Sequence, residues 1–234
     1  MNFPVYWLKP DVKEDDRLRY GKGMAFRTQL CEQNPDHACR QVRPTPLRLE
    51  FRGVAWSDFF WTPYSEAIVN KDVVTAFEEA GIVGCDFVAA DLENTLGDEM
   101  AGDLYELRPK GWGGFASVES GVRLLEECPH CKNRVFSGYT DPGQLLDLDG
   151  WDGSDIFTIW PIPRYILATE AVRNLLVQYQ FTGVRAEPIT KLPKVIAGTL
   201  TPGNVRDWFD EDQAGELDAE IDTAIRARRQ RSKS

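Results

Sequence analysis

Two cysteines of this chain stand close together in the segment Cys128-Pro-His-Cys131. Residues 122–127 and 134–139 on either side are predicted to be strands, so the cysteines occupy a tight turn between them. Such a turn directs two thiolates at one ion and brings backbone N–H groups toward the sulfurs. A structural zinc site needs two more ligands, so the sequence predicts one half of a zinc knuckle here.

A second pair, Cys31 and Cys39, lies in a loop-like region and could supply the other half. If that loop closes, the thiolates of Cys31, Cys39, Cys128 and Cys131 form one tetrahedral zinc site. The spacing C-x7-C is a departure from C-x2-C, so the alternative is four cysteines without a metal. His37 is a substitute ligand for this site.

An internal repeat is predicted to position these pairs. Residues 49–60 align without a gap on residues 146–157 at a shift of 97, with identical Leu, Gly, Ser, Asp and Phe residues. The same shift aligns Cys31 with Cys128, and a shift of 99 aligns Trp61 with Trp160, Val73 with Val172 and Gly84 with Gly183.

The repeat also helps to interpret other candidate groups. Four aspartates in residues 147–155 have the oxygen ligands that calcium prefers, but the earlier copy has Arg52 in place of Asp149, and a cation there would repel the ion. The remaining interpretation is a strand end and a turn, in which Asp58 and Asp155 accept local backbone N–H groups. Residues of the first copy thus argue against a calcium site.

No set of catalytic residues is apparent. Cys85 aligns with Val184 and is predicted to be an inert core residue. His130, inside the cysteine turn, is a less favoured ligand than His37. The sequence contains no P-loop, GxGxxG, HExxH or GxSxG pattern, so we expect a protein that is not an enzyme.

Each half is predicted to contain a strand, an aromatic turn, a helix and a second strand. Asn70 and Thr169 are expected to cap the helices, which end at Gly81 and Gly183. The predicted apolar stripes are Val73, Ala76, Phe77 and Ala80 in the first helix and Val172, Leu175, Leu176 and Tyr179 in the second. The strands are predicted at 47–52, ending at Gly53, and at 83–90 and 184–189.

The other segments carry weaker patterns. We expect a short edge strand near Phe3, Tyr6 and Trp7, and connecting structure over residues 94–121, with a strand at 104–107 and a flexible loop at 111–114. The charged segment after residue 200 is predicted to be a mostly solvated helix. No run of about 18 apolar residues and no signal peptide is apparent, so a cytoplasmic protein is expected.

The fold is therefore predicted as α+β. Residues 1–200 are expected to form a single compact domain with two similar lobes, about 31–93 and 128–192, related by a pseudo-twofold around the cysteine site. Residues 201–234 are expected to form a charged C-terminal helix and tail.

The second half resembles a known family. Its segments Cys128-Pro-x-Cys131, Trp151-Asp-Gly-Ser-Asp-Ile-Phe157, Trp160-Pro-x-Pro-Arg164 and Gly183-Val-x-x-x-Pro188 are similar to those of the double-CXXCG motif proteins, which are bacterial, abundant in myxobacteria and associated with polymorphic toxin systems. Lys132 stands where that motif has glycine. The resemblance, over roughly residues 31–192, implies a cytoplasmic immunity protein that binds and blocks a cognate toxin, with a structural metal at the paired motifs.

The charge fits that expectation. The net charge of −10 favours either a plain soluble protein or one with a basic partner, and it argues against a general binder of nucleic acid or anionic membranes. One alternative is a zinc-ribbon adaptor that binds nucleic acid, for which the basic cluster is residues 226–233. The other is an unrecognised enzyme that uses the acidic turn at 147–155.

Overall fold

The computed structural model describes residues 3–13, 18–51, 56–94, 103–193 and 198–231. This part of the chain is a mixed α+β structure, mostly sheet, with three α-helices. Residues 52–55 lie outside it, including the predicted strand end at Gly53. The helices are α1 (Lys71–Glu79), α2 (Glu170–Gln178) and α3 (Glu211–Arg231). None of these described helices has both the length and the apolar composition needed to cross a bilayer.

The strands are β1 (Val5–Asp11), β2 (Arg19–Tyr20), β3 (Arg27–Leu30), β4 (Ala38–Val42), β5 (Arg48–Phe51), β6 (Phe59–Trp61), β7 (Ala67–Asn70), β8 (Cys85–Asn94), β9 (Leu104–Pro109), β10 (Gly111–Phe115), β11 (Leu124–Glu127), β12 (Arg134–Ser137), β13 (Ile156–Trp160), β14 (Leu167–Thr169), β15 (Gly183–Pro188) and β16 (Thr199–Leu200). They form sheets with the orders β10-β13-β14-β1-β15, β2-β5-β8-β9-β7-β6, β11-β12-β16 and β3-β4. The pairs β10–β13 and β5–β8 are parallel, and the others are antiparallel.

Two segments have the same order of elements. The first unit is β6, β7, α1 and β8, and the second unit is β13, β14, α2 and β15. In each unit a strand from elsewhere in the chain lies between the second and last strands: β9 in the first unit and β1 in the second. Tyr105 pairs with Val69, and Tyr6 pairs with Ala168, so both inserted strands have matching registers.

We call β1 and β9 the exchanged strands. β1 precedes the first unit in the sequence but completes the sheet of the second, while β9 precedes the second unit and completes the first. The expectation of an edge strand at the N-terminus is therefore wrong, because β1 pairs with β14 on one side and β15 on the other. Residues 94–121 are not mere connecting structure, since they contain β9 and β10.

The helices begin where the sequence predicts, but the two caps differ. The side chain of Asn70 accepts a hydrogen bond from the Val73 backbone N–H at 3.1 Å. Thr169 is the N-cap of α2 without such a bond, and its hydroxyl instead donates to Asp155 at 2.7 Å. Val73, Ala76 and Phe77 are buried on α1, as are Val172, Leu175 and Leu176 on α2. Ala80 and Tyr179 of the predicted stripes are exposed.

The two units contact each other reciprocally. The carboxylate of Asp58 accepts the backbone N–H of Thr182 at 2.8 Å, and that of Asp155 accepts the N–H of Val83 at 3.3 Å. The prediction that these aspartates accept local N–H groups is therefore wrong, because each donor lies in the other unit. Gly183 follows Thr182 and Gly84 follows Val83, and each glycine lies against the backbone of the other unit. A Cβ on Gly183 would lie 2.0 Å from the carbonyl oxygen of Phe59, and a Cβ on Gly84 would lie 2.2 Å from that of Ile156.

These contacts between the two units, which we call the junction, predict the effect of alanine substitutions at the glycines. Gly84→Ala and Gly183→Ala are each expected to destabilise the protein by about 3 kcal/mol, because the methyl group meets a backbone oxygen and φ is positive. Gly81→Ala is the control, since its φ is +67° but a Cβ there meets nothing within 4 Å. We expect it to cost about 1 kcal/mol in urea unfolding. Equal losses for Gly81→Ala and Gly84→Ala would contradict the close approach.

The prediction of a flexible loop at residues 111–114 is wrong. These residues lie in β10, a buried strand that runs parallel to β13. A Cβ on Gly111 would lie 2.2 Å from the Ile156 carbonyl oxygen, and one on Gly113 would lie 2.7 Å from the Phe157 ring. The glycines therefore permit close strand and side-chain packing at this site.

The predicted C-terminal helix is confirmed and most of its residues are exposed, but it also has a buried apolar face that was not expected. Ala214, Leu217, Ile221 and Ile225 of α3 are buried in the same apolar cluster as Trp160. Their spacing of three and four residues gives α3 one apolar face, with charged residues on the others. The sequence pattern was present but looked weak because the face is narrow.

Candidate metal centre

Two hairpins carry the candidate ligands. In the first, β3 and β4 flank the loop that holds Cys31, and the Cys31 backbone N–H donates to the carbonyl of His37 at 2.9 Å. In the second, β11 and β12 flank Cys128, and the Cys128 N–H donates to the carbonyl of Asn133 at 2.8 Å. In each hairpin the backbone N–H of the first cysteine thus donates the hydrogen bond that closes the loop.

The second loop forms a tight turn despite the absence of glycine at position 132. Lys132 has φ of +58°, and its N–H donates to the Cys128 carbonyl at 3.1 Å. The left-handed conformation that glycine adopts most easily is therefore taken by a lysine. The Lys132 ammonium group lies 3.5 Å from Asp222 on α3, so an ion pair helps to hold the strained residue.

The structure brings the cysteine pairs together. The sulfur atoms of Cys31, Cys39 and Cys131 lie within 4.8 Å of one another, and ligand atoms of His37, Cys128 and Cys131 form a second group within the same limit. Sulfurs around a tetrahedral zinc lie about 3.8 Å apart, given Zn–S bonds of about 2.3 Å. These Cys and His groups are close enough to hold a metal ion, and Cys131 belongs to both groups.

The cysteines of this cluster differ in their pKa values. Backbone N–H groups of Cys131 and His130 lower the pKa of Cys128 to about 6, as expected for a sulfur in a knuckle turn. Burial, together with the nearby sulfurs of Cys128 and Cys31, raises the pKa of Cys131 to about 12. Burial also raises the pKa of Cys39, with the charge of Cys31 as the next cause. Without a cation, Cys39 and Cys131 therefore keep their protons near neutral pH, and a bound cation would offset the repulsion between neighbouring thiolates.

The hydrogen bonds of His37 indicate its role. Asn34 Oδ1 accepts the Asp36 N–H at 3.2 Å, which leaves Asn34 Nδ2 facing His37 Nε2 at 3.1 Å. An amide NH2 donates, so Nε2 accepts and the neutral ring carries its proton on Nδ1. Nδ1 lies 3.9 Å from Cys131 Sγ, so His37 is placed to donate to that sulfur. Cys128 is grouped with His37 and Cys131 and not with Cys31 and Cys39, so His37 stays a candidate ligand beside the four cysteines.

The C-terminal part of the chain supports both hairpins. Asp207 accepts the Gln41 backbone N–H at 2.7 Å, and Asn204 Nδ2 donates to the Cys131 carbonyl at 3.4 Å. The guanidinium of Arg134, whose side chain is 1% exposed, pairs with Glu127 on the neighbouring strand. It also pairs with Asp218 and Asp222 on α3.

This buried Arg134 network was not found from the sequence. One usable signal is the spacing of Asp218 and Asp222, four residues apart on the same side of α3. Another is the position of Arg134 directly after the cysteine turn, where the alternation of β12 directs it inward. Neither signal identifies its partner without the fold.

Cys85 and His130 were the other candidate groups. Cys85 packs at the edge of the apolar cluster of α1 and α2, and burial raises its pKa to about 12, followed by the charges of Asp86 and Asp155. His130 belongs to neither group of candidate metal ligands within the described residues. Cys85 therefore remains a protonated thiol near neutral pH.

The aspartates of residues 147–155 serve the turn. Asp147 accepts the N–H of Asp149 at 3.2 Å, and Asp152 accepts the N–H groups of Ser154 and Trp112 at 2.9 and 2.8 Å. Within the described residues these carboxylates form no metal-binding group.

When the chain is compared with known proteins, no family model and no curated protein matches it.

Proposed function

We propose that this chain is a cytoplasmic immunity protein that neutralises a cognate toxin by stoichiometric binding. The observation that carries the proposal is the convergence of the two cysteine pairs, because these pairs are the feature through which the chain resembles the double-CXXCG proteins. Lys132 and the C-x7-C spacing are the two departures from that motif. The left-handed Lys132 and the closed first loop support the view that neither departure prevents a metal site.

The metal in this proposal is zinc, held in a zinc-ribbon-like site by Cys31, Cys39, Cys128 and Cys131. Thiolate sulfur is a preferred zinc ligand, and four of them complete a structural site with no open position. The Nδ1–H of His37 donates to Cys131 and orients that sulfur. The ion would join the two hairpins and so stabilise the surfaces that the protein presents.

The two units are, in this proposal, copies of one internal repeat. The reciprocal bonds of Asp58 and Asp155 and the matching positions of the exchanged strands support this interpretation. So does the sequence, since residues 5–10 and 104–109 share Tyr, Leu and Pro at the same shift of 99. A duplicated scaffold gives two equivalent faces, one of which is free to acquire a partner-specific surface.

The partner in this proposal is a basic protein. The net charge of −10 accelerates association with a positively charged toxin and disfavours acidic competitors. Steering of this kind acts over about 10 Å at moderate salt and weakens as salt is added.

Co-expression with the product of the adjacent gene tests the function. We expect the chain to restore growth of a host that expresses this product and to co-purify with it as an equimolar complex. When the purified toxin is titrated with this chain, its inhibition should be complete at one molar equivalent, because the proposed inhibition is by stoichiometric binding. A host that is not protected despite soluble expression of both proteins would refute the proposal.

A further inference from the structure

A cleft lies between α1 and the residues that follow α2. Its cavity of about 360 Å³ is lined by Asp58, Asp72, Thr75, Ala76, Glu79, Tyr179 and Phe181. The rings of Tyr179 and Phe181 stack with centroids 5.3 Å apart and planes at 9°. Tyr179 is 45% exposed, so an aromatic surface borders this acidic cleft. We refer to it as the α1 cleft.

The carboxylates of the cleft differ in their contacts. Asp58 is occupied by the structure, since it accepts hydrogen bonds from Thr182 and from Asn70 at 2.9 Å. Asp72 and Glu79 are two helical turns apart on the same side of α1. In the described part of the chain neither side-chain carboxylate makes a hydrogen bond or an ion pair. Their charges are therefore available to an external group.

Glu79 is also unfavourable for the helix itself. It is the last residue of α1, and the final turn of α1 has no basic residue. A negative charge at a helix C-terminus is destabilising because it faces the negative end of the helix dipole. The nearest cation in sequence, Lys71, lies 5.4 Å over the ring of Tyr105. A role in binding would explain the position of Glu79.

The second unit provides an internal comparison. At the shift of 99 residues, the positions of Asp72, Glu79, Tyr179 and Phe181 are occupied by Ala171, Gln178, Ala80 and Ile82. Asp58, which bonds the junction, is retained as Asp155. The equivalent contact, made by Asp155, therefore forms without free carboxylates and without an aromatic pair at the corresponding positions. These residues are not needed for the fold of the junction, so another property must explain them.

We propose that the α1 cleft binds a lysine or arginine side chain of the partner protein. The cation would lie between the carboxylates of Asp72 and Glu79 and the ring of Tyr179, where charge attraction and a cation–π contact act together. The volume of the cleft accommodates one or two side chains. This inference rests on the proposed function, because it identifies the surface by which a basic toxin is bound.

The test compares two pairs of substitutions that change the net charge equally. Asp72→Asn with Glu79→Gln neutralises the cleft, while Asp212→Asn with Glu216→Gln neutralises two exposed residues of α3. Tyr179→Ala removes the exposed ring. All three variants should keep the unfolding temperature of the parent protein, because the altered side chains are exposed.

The first readout is the affinity for the product of the adjacent gene. We expect the cleft pair to weaken the complex at least about tenfold and Tyr179→Ala about fivefold, with less than about twofold for the α3 pair. Equal weakening by both pairs would show a general charge effect and overturn the proposal that the α1 cleft is the binding site. Unchanged affinity in the cleft pair would overturn it too, while the immunity function would stand.

The second readout does not require the toxin. A fluorescent peptide of alternating arginine and serine is titrated with each variant, and its anisotropy is measured at low salt. Selective loss of peptide binding in the cleft pair supports the site even if the adjacent gene product forms no complex with the parent protein. Failure of the peptide to distinguish the two pairs counts against the cleft.

Discussion

Replacing Cys131 by serine is expected to abolish metal binding and to lower the midpoint of thermal unfolding by about 10 °C. Cys131 belongs to both groups of candidate ligands, so its loss affects the ligands of both hairpins. Structural zinc contributes its binding free energy to folding, and a loss of about 4 kcal/mol corresponds to a shift of this size in a domain of about 200 residues. The apolar clusters should keep the rest of the chain folded.

Elemental analysis and calorimetry measure this outcome. The parent protein, purified without chelator, should contain one equivalent of zinc, and a chelator should lower its stability to that of Cys131→Ser. Cys85→Ser is the matched control, because Cys85 is a partly buried cysteine remote from the cluster. A parent protein without metal, or an identical effect of chelator on Cys131→Ser, would contradict the predicted site.

Arg134→Ala is expected to destabilise the protein by about 4 kcal/mol. Its guanidinium is buried and pairs with Glu127, Asp218 and Asp222, so its removal leaves three carboxylates close together without a central cation. Because two of them lie on α3, the substitution should also loosen this helix. We expect faster amide exchange over residues 211–231 than in the rest of the protein.

An exposed arginine provides the control for this prediction. Arg185 pairs with Asp11 at 2.8 Å, but its side chain is 60% exposed. Arg185→Ala should therefore cost less than about 1 kcal/mol in urea unfolding. If Arg134→Ala and Arg185→Ala have similar costs, the Arg134 network does not hold α3 in place.

The parts that could be predicted from the sequence depend on local patterns. The helix at Lys71–Glu79 follows from an apolar stripe, the Asn70 cap and the glycine after it. The cysteine turn follows from the spacing of Cys128 and Cys131. In both cases a few adjacent residues determine the conformation through backbone hydrogen bonds.

The parts that were missed depend on distant partners. β10 is rich in glycine, as loops are, and only the approach of β13 explains why side chains are excluded there. The buried face of α3 is apparent only when the strands beneath it are known. The place of β1 depends on residues 167–188, with which it pairs. Neither residue type nor hydrophobic periodicity identifies partners that are distant in the sequence.

The exchanged strands have a consequence for protein synthesis. β1 is synthesised before both units, whereas its partners Thr169 and Pro188 belong to the second unit. The sheet of the second unit can therefore close only after β14 and β15 have been translated, and the sheet of the first unit must wait for β9. Pairing over such sequence separations is slow, so β1 stays without its partner strands, and open to chaperones, until the second unit has been synthesised.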